Sequence, residues 1–357
     1  MVSSGRSESR RRTTSPTAVG TRRLSLLPEE TISLLEAAAV VGRESEIGVL
    51  ARVADRDLET CLDAAEPALA HHVLMEPPGS IGTFRFTHAL VQDAVLATVS
   101  TRRRALLHRR AAEAIVEVSG DTEDTAEIIA AHLVEAVPLG GRRAAAEALE
   151  RAATVAEGRF AYETALNLLQ RAVVLRGASG SMPSDLAAEL LAICRLTEIR
   201  RRVHGYNGGV DDVPLERARQ LADRTGRHDL LVELLWAEWA AAKVGGDVAV
   251  ADHLAAQFAE LSTSADDSVV RRLGSGVHGI HLGQIGRAGE AAAQLDIALQ
   301  VERDDDGRLG KPTIGEGRAE ERDLFLYGYW ALTHEVVGDL DDGPQRFAEV
   351  ASAQPGP

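Results

Sequence analysis

Histidines are the residues of this sequence best placed to do chemistry. The most informative is His88, in the stretch Phe84-Arg-Phe-Thr-His-Ala-Leu-Val-Gln-Asp-Ala-Val95. This stretch passes from alternating apolar residues into a helical pattern, which sets His88 at a helix start. Backbone N–H groups without intrahelical acceptors and the positive end of the helix dipole meet there. An imidazole at that point can share an anion such as a phosphate. The competing reading is structural: a polar residue that caps the helix and packs on the strands before it.

The other patterns lead to less. His334-Glu-Val-Val-Gly338 opens like the zinc-protease motif H-E-x-x-H but lacks its second histidine, so a packed helix is expected there. His278 and His281 share a helical face without a visible third ligand, and no metal site is expected. Cys61 and Cys194 stand alone in helical patterns, with neither zinc nor disulfide spacing. The 357 residues contain no G-x-S-x-G, no G-x-G-x-x-G between a strand and a helix, and no G-x-x-x-x-G-K-[ST]. No acid, base, nucleophile and metal come together, so the expectation is a protein without catalytic residues, not an enzyme.

The elements that must position His88 can be read from periodicity. Pro28 suits a first helical turn, and Ile32, Leu35, Ala38 and Ala39 keep one face apolar until Gly42. Further helices are expected from about Ser45 to Val53 and from about Asp57 to Ala70. Two short strands then flank the Pro/Gly turn PPGSIG as a hairpin. Three helices, a hairpin and more helices give the order of a winged helix, expected over residues 24–118. In a DNA-reading winged helix the third helix enters the major groove. Here it carries Asp57, Glu59, Asp63 and Glu66, with no lysine or arginine after Arg56. A duplex would repel it, so no direct DNA binding is expected, and a docking role with protein or with the rest of the chain is. In Thr101-Arg-Arg-Arg-Ala-Leu-Leu-His-Arg-Arg110, a buried stripe of Leu107, Ala111, Ala114 and Val118 leaves Arg102, Arg103, Arg109 and Arg110 on a solvated face.

Charge separates the ends from the body. Residues 1–23 hold six arginines and one glutamate, a net +5, which leaves 33 basic and 53 acidic residues elsewhere. This segment, SSGRSESRRRTTSPTAVGTRR, is polar and aperiodic, and a disordered basic tail is expected. An acidic body binds nucleic acid poorly. No apolar run approaches the roughly 20 residues of a membrane helix, and no signal sequence is evident. A cytoplasmic protein with no membrane contact is expected.

From Asp121 onward the texture turns to alanine-rich helices with short Gly-Asp or Gly-Arg turns. Small and apolar residues recur at Leu149, Ala153, Ala165 and Leu169, at Leu235, Trp239, Ala251 and Ala255, at Leu282, Ala291 and Leu295, and at Tyr327 and Ala331. Such spacing lets paired helices approach closely and stack, the physical content of tetratricopeptide-like repeats. A degenerate unit is expected around Leu196 to Leu221, and a polar loop at 304–322. The expected fold class is mainly α: a winged-helix domain with a small β-hairpin, followed over 119–357 by an α-solenoid of degenerate helical hairpins.

Taken together, LLEAAAVVGRESEIGVLARVADRDLETCLDAAEPALAHHVL, FRFTHALVQDAV and STRRRALLHRRAAEAI resemble the winged-helix end of the nucleotide-binding module in bacterial STAND-class ATPases, found in transcriptional regulators of the LuxR and AfsR/SARP types. The trailing repeats are similar to the helical sensor arrays that follow that module. The resemblance implies a regulatory, signal-relaying chain. Thr87-His88-Ala89 falls where related switches carry Met-His-Asp, whose histidine touches the phosphates of bound ADP. His88 is thereby implied as an ADP-phosphate sensor, with threonine and alanine in place of methionine and aspartate. ATP or ADP would be a cofactor only through an ATPase module supplied in trans. A protein partner or small effector is implied for the repeats. A free-standing interaction scaffold is the alternative.

Overall fold

The computed structural model describes residues 24, 26–205, 215–264, 267–300 and 319–338. The protein is mainly helical with one small three-stranded sheet. It divides into two compact units at Ser179/Gly180. The basic segment 1–23 lies outside the described residues, as does most of the loop expected at 304–322. Ala319–Arg322, the end of that expected loop, is instead helical.

In the first unit, α1 (Glu29–Val41) begins after Pro28 with Glu29 and Glu30 in its first turn, where acidic side chains suit the helix dipole. Strand β1 (Glu44–Glu46) and α2 (Ile47–Ala54) follow. The helix expected from Ser45 is thus a strand for its first two residues. Ser45 points inward between exposed Glu44 and Glu46, and its partner is Phe84, far along the chain. Asp57 caps α3 (Leu58–Ala70) by accepting from the Thr60 N–H at 2.8 Å. The expected hairpin is present as β2 (Leu74–Met75) and β3 (Thr83–Phe86).

Strand β3 is central, in the antiparallel order β1-β3-β2. Phe84 and Phe86 point into the core, while Arg85 faces outward to Glu44 Oε1 (3.3 Å) and Met75 Sδ (3.7 Å). Helices α4 (Ala89–Thr98) and α5 (Thr101–Ser119) complete this part. One apolar cluster joins α1, α3, the sheet and α4 through Leu34, Leu35, Cys61, Phe84 and Val95. A second joins α1, α2 and α5 through Val40, Val53 and Leu107, and reaches Ile129 of α6 (Ala126–Glu135).

After a 3-10 turn at Val137–Leu139, α7 (Arg142–Gly158) and α8 (Tyr162–Gly177) pack as a helical hairpin. Leu149, Ala153, Ala165 and Leu169 are fully buried between them, as their spacing predicts. Arg176 of α8 forks onto Glu150 of α7 with two bonds of 2.8 Å and is itself buried.

The second unit contains α9 (Pro183–His204), α10 (Leu215–Thr225), α11 (His228–Gly245), α12 (Val248–Ser264), α13 (Ser268–Gln284), α14 (Ala288–Ala298) and α15 (Ala319–Val337). Helices α9 and α10 pack together where the degenerate unit is expected. Glu189, nearly fully buried, takes a bidentate pair from Arg217 across them. Leu235, Trp239, Ala251, Ala255, Ala291 and Leu295 are buried, again following the sequence spacing. Glycines of α13 allow close packing. The position of a Cβ on Gly274 lies 2.7 Å from the Phe258 carbonyl oxygen of α12, and that on Gly279 lies 2.8 Å from Leu295 Cγ of α14. All three tryptophans, Trp236, Trp239 and Trp330, are in this unit.

The turns share one backbone device. Gly226 and Gly286 take left-handed φ of 72° and 87°, and Arg227 and Arg287 follow at φ −89° and −93°. The α7–α8 turn repeats it with Phe160 at φ 58° and Ala161 at φ −85°. Gly158, the nearest glycine, ends α7 two residues earlier. Phe160 is 77% exposed and touches Tyr162 edge-on at 6.2 Å. A left-handed L-residue costs about 1–2 kcal/mol, more than glycine's extra entropy of about 0.5–1 kcal/mol. Phe160→Gly is therefore expected to raise the urea midpoint of the first unit, by an equivalent of about 0.5 kcal/mol.

Candidate functional site

His88 is the residue immediately before α4, in extended conformation (φ −140°, ψ 137°). Its carbonyl accepts from the N–H groups of Val91 (3.0 Å) and Gln92 (3.4 Å), which closes the first turn. Its side chain forms no capping bond and is exposed, as are Ala89 and Leu90 beside it. The helix start is therefore open to solvent. The fold holds its backbone firmly: the Thr87 N–H donates to the Val73 carbonyl (3.1 Å), and Thr87 Oγ1 donates to that of His72 (2.8 Å). From the next turn, Gln92 Nε2 donates to the Ala39 carbonyl of α1 (3.0 Å). A fixed backbone thus presents an imidazole that neither capping nor core packing uses. Chemically, such a group can donate to an anion approaching the helix end.

Several cations of the first unit are engaged in contacts of their own. Arg85 is held by Glu44 and Met75. A polar groove of about 550 Å³, lined by residues of α2, the α2–α3 turn and α5, contains Arg52, Arg56 and Arg110. Arg52 pairs with Glu117 at 2.8 Å, Arg110 with Asp55 at 3.5 Å, and Arg56 donates to the Glu30 carbonyl. The groove neutralises its own charge.

Periodicity did not reveal a buried histidine pair. His108 of α5 and His132 of α6 meet Nδ1 to Nδ1 at 2.9 Å. Burial is the main cause that holds both pKa values down to about 4. The Val41 backbone near His132 acts against that shift without reversing it. Between two neutral rings one Nδ1 donates and the other accepts, and the buried His108 Nε2 has no partner. The only sequence signal is a histidine inside the buried stripe of α5, and the pairing itself is tertiary.

The remaining histidine patterns are structural. His334 is fully buried in α15 and shares Asp296 Oδ1 with Trp330 Nε1, at 3.0 and 2.8 Å. His281 lies 3.4 Å from Asp252, and His278 is half-buried beside it. Among the described residues no group of three His, Cys, Asp or Glu has the geometry of a metal site. Burial pushes both thiols up, Cys194 to about 12, so both stay protonated at neutral pH. No described helix is long and apolar enough to cross a membrane. In comparison with known proteins, no family model and no curated protein matches this chain.

Proposed function

We propose that this chain is the signal-relay portion of a STAND-type transcriptional regulator, acting in the cytoplasm: a winged-helix domain and tetratricopeptide-like hairpins that couple to a nucleotide-binding module outside these residues. The observation that carries the reading is the exposed His88, presented by a fixed backbone at an open helix start and unused by the fold. Support for the winged helix comes from the element order α1-β1-α2-α3-β2-β3 with β3 central. The buried small residues at the α7–α8, α11–α12 and α13–α14 hairpins support the repeat reading. A ligand or protein partner on the repeats would shift the balance between closed and open arrangements of the coupled module. His88 would donate to the ADP phosphates in the closed one.

The test is capture of candidate nucleotide-binding modules loaded with ADP or with a non-hydrolysable ATP analogue. The expected result is ADP-dependent capture that drops about tenfold in His88→Ala, the weight of one charge-assisted hydrogen bond. The melting temperature should be unchanged, because the side chain holds nothing in place. Capture indifferent to nucleotide would overturn the reading in favour of a free-standing interaction scaffold.

A further inference from the structure

The outer face of α3 is unusual for an exposed helix because it joins apolar and acidic residues without cations. Leu58 and Leu62, one turn apart, are 51% and 43% exposed. Glu59, Asp63 and Glu66 flank them and are exposed, with no ion pair among the described residues. The opposite face is committed to the core through Cys61, Ala64, Ala65 and Ala68. Such a face suits a segment that is both basic and partly apolar.

The chain carries such a segment, and it enters the fold nearby. Residues 1–23 contain the run Arg10-Arg11-Arg12, followed by Pro16, Ala18 and Val19. Leu24, where the described structure starts, packs against the same apolar cluster that takes the inner face of α3. The α2–α3 turn touches α1 just beyond it, through the Arg56 Nη1 bond to the Glu30 carbonyl at 3.3 Å. Arg12 precedes Leu24 by twelve positions. A flexible chain of that length spans about 19 Å on average, and a 13-residue helix such as α3 is about 20 Å long. Tethering at this range gives a millimolar effective concentration, enough to fill a site of millimolar affinity about halfway.

We infer that the outer face of α3 is a docking surface for the chain's own basic N-terminal segment, with Arg10, Arg11 and Arg12 against Glu59, Asp63 and Glu66 and the apolar residues over Leu58 and Leu62. The inference rests on the chemistry of this face and is independent of the regulator reading. Docking masks an acidic-apolar face until a stronger basic partner competes for it.

A nitroxide on a Ser7→Cys variant of the full chain, in a Cys194→Ala background, tests this through the methyl signals of Leu58 and Leu62. At low salt these signals should lose about half their intensity. They should recover in 0.5 M salt, where the screening length is only about 4 Å. They should also recover when Arg10, Arg11 and Arg12 are replaced by alanine, or when Glu59→Gln, Asp63→Asn and Glu66→Gln are combined. Glu59, Asp63 and Glu66 are exposed, so their replacement leaves the core intact. Undiminished signals, or equal losses at leucines on other surfaces, would overturn the proposal. So would losses that appear only between labelled and unlabelled copies, which would assign the face to a second molecule.

Discussion

Between pH 7 and pH 5 the first unit should lose about 2–4 kcal/mol of stability through the His108–His132 pair. Both histidines have folded pKa values of about 4 against an ordinary 6.5. Burial is the largest cause for each. Arg104 adds to it at His108, and His108 itself adds to it at His132, where the Val41 carbonyl and Glu135 act in the opposite direction. A depressed folded pKa means that the unfolded chain takes up protons first as pH falls. The contribution is therefore complete above pH 6.5 and is lost progressively down to about pH 4. At pH 5 each site accounts for about 2 kcal/mol, since a tenfold difference in proton affinity corresponds to about 1.36 kcal/mol. Hydrogen exchange in peptides from α5 and α6, corrected for intrinsic rate, should show the loss. The double variant His108→Met, His132→Met should flatten it. Protection at pH 5 equal to that at pH 7 in the parent would mean that the pair does not hold these helices together.

In α13, the same chemical change should have opposite signs at two positions. Within a helix, glycine to alanine normally stabilises by about 0.5–1 kcal/mol. At Gly283 the added methyl would meet Ala291 Cβ at 3.6 Å and Thr333 Oγ1 at 3.7 Å, ordinary contact distances, so Gly283→Ala should gain that amount. At Gly274 the methyl would sit 2.7 Å from the Phe258 carbonyl oxygen and 2.9 Å from the Ser262 nitrogen. Those are backbone atoms of α12, and only a shift of the whole helix can make room. Gly274→Ala should therefore lose about 1–3 kcal/mol net, the usual cost of overpacking. Urea unfolding followed by tryptophan fluorescence reports on this unit alone, because it contains all three tryptophans. Parallel shifts for the two variants would show that α12 and α13 are not packed so tightly.

What the sequence made legible, and what it did not, follows the range of the interactions involved. Helices α1 and α3 and the β2–β3 pair were readable because caps, a Pro/Gly turn and apolar periodicity act within a few residues. The buried alanines of the later hairpins were readable for the same reason. Strand β1 was not, because Glu-Ser-Glu has no apolar alternation and becomes a strand only by pairing with residues about forty positions away. Phe160 was hidden because local rules favour glycine in a left-handed turn, and the glycine at Gly158 lies two residues earlier. The position of His88 at a helix start was legible from the change in period, whereas its freedom from capping is a fact of side-chain geometry. The His108–His132 contact joins two helices across a turn, and neither histidine has a sequence neighbour that would announce it.

Because β3 is flanked on both sides, the sheet exposes only β1 and β2 as edges, three and two residues long. A foreign strand aligned with either would gain no more than a bond or two, and along β1 it would run beside the carboxylates of Glu44 and Glu46. Strand augmentation and amyloid-like templating therefore find no foothold on this sheet. A protein docking on the first unit would have to use its helices and turns.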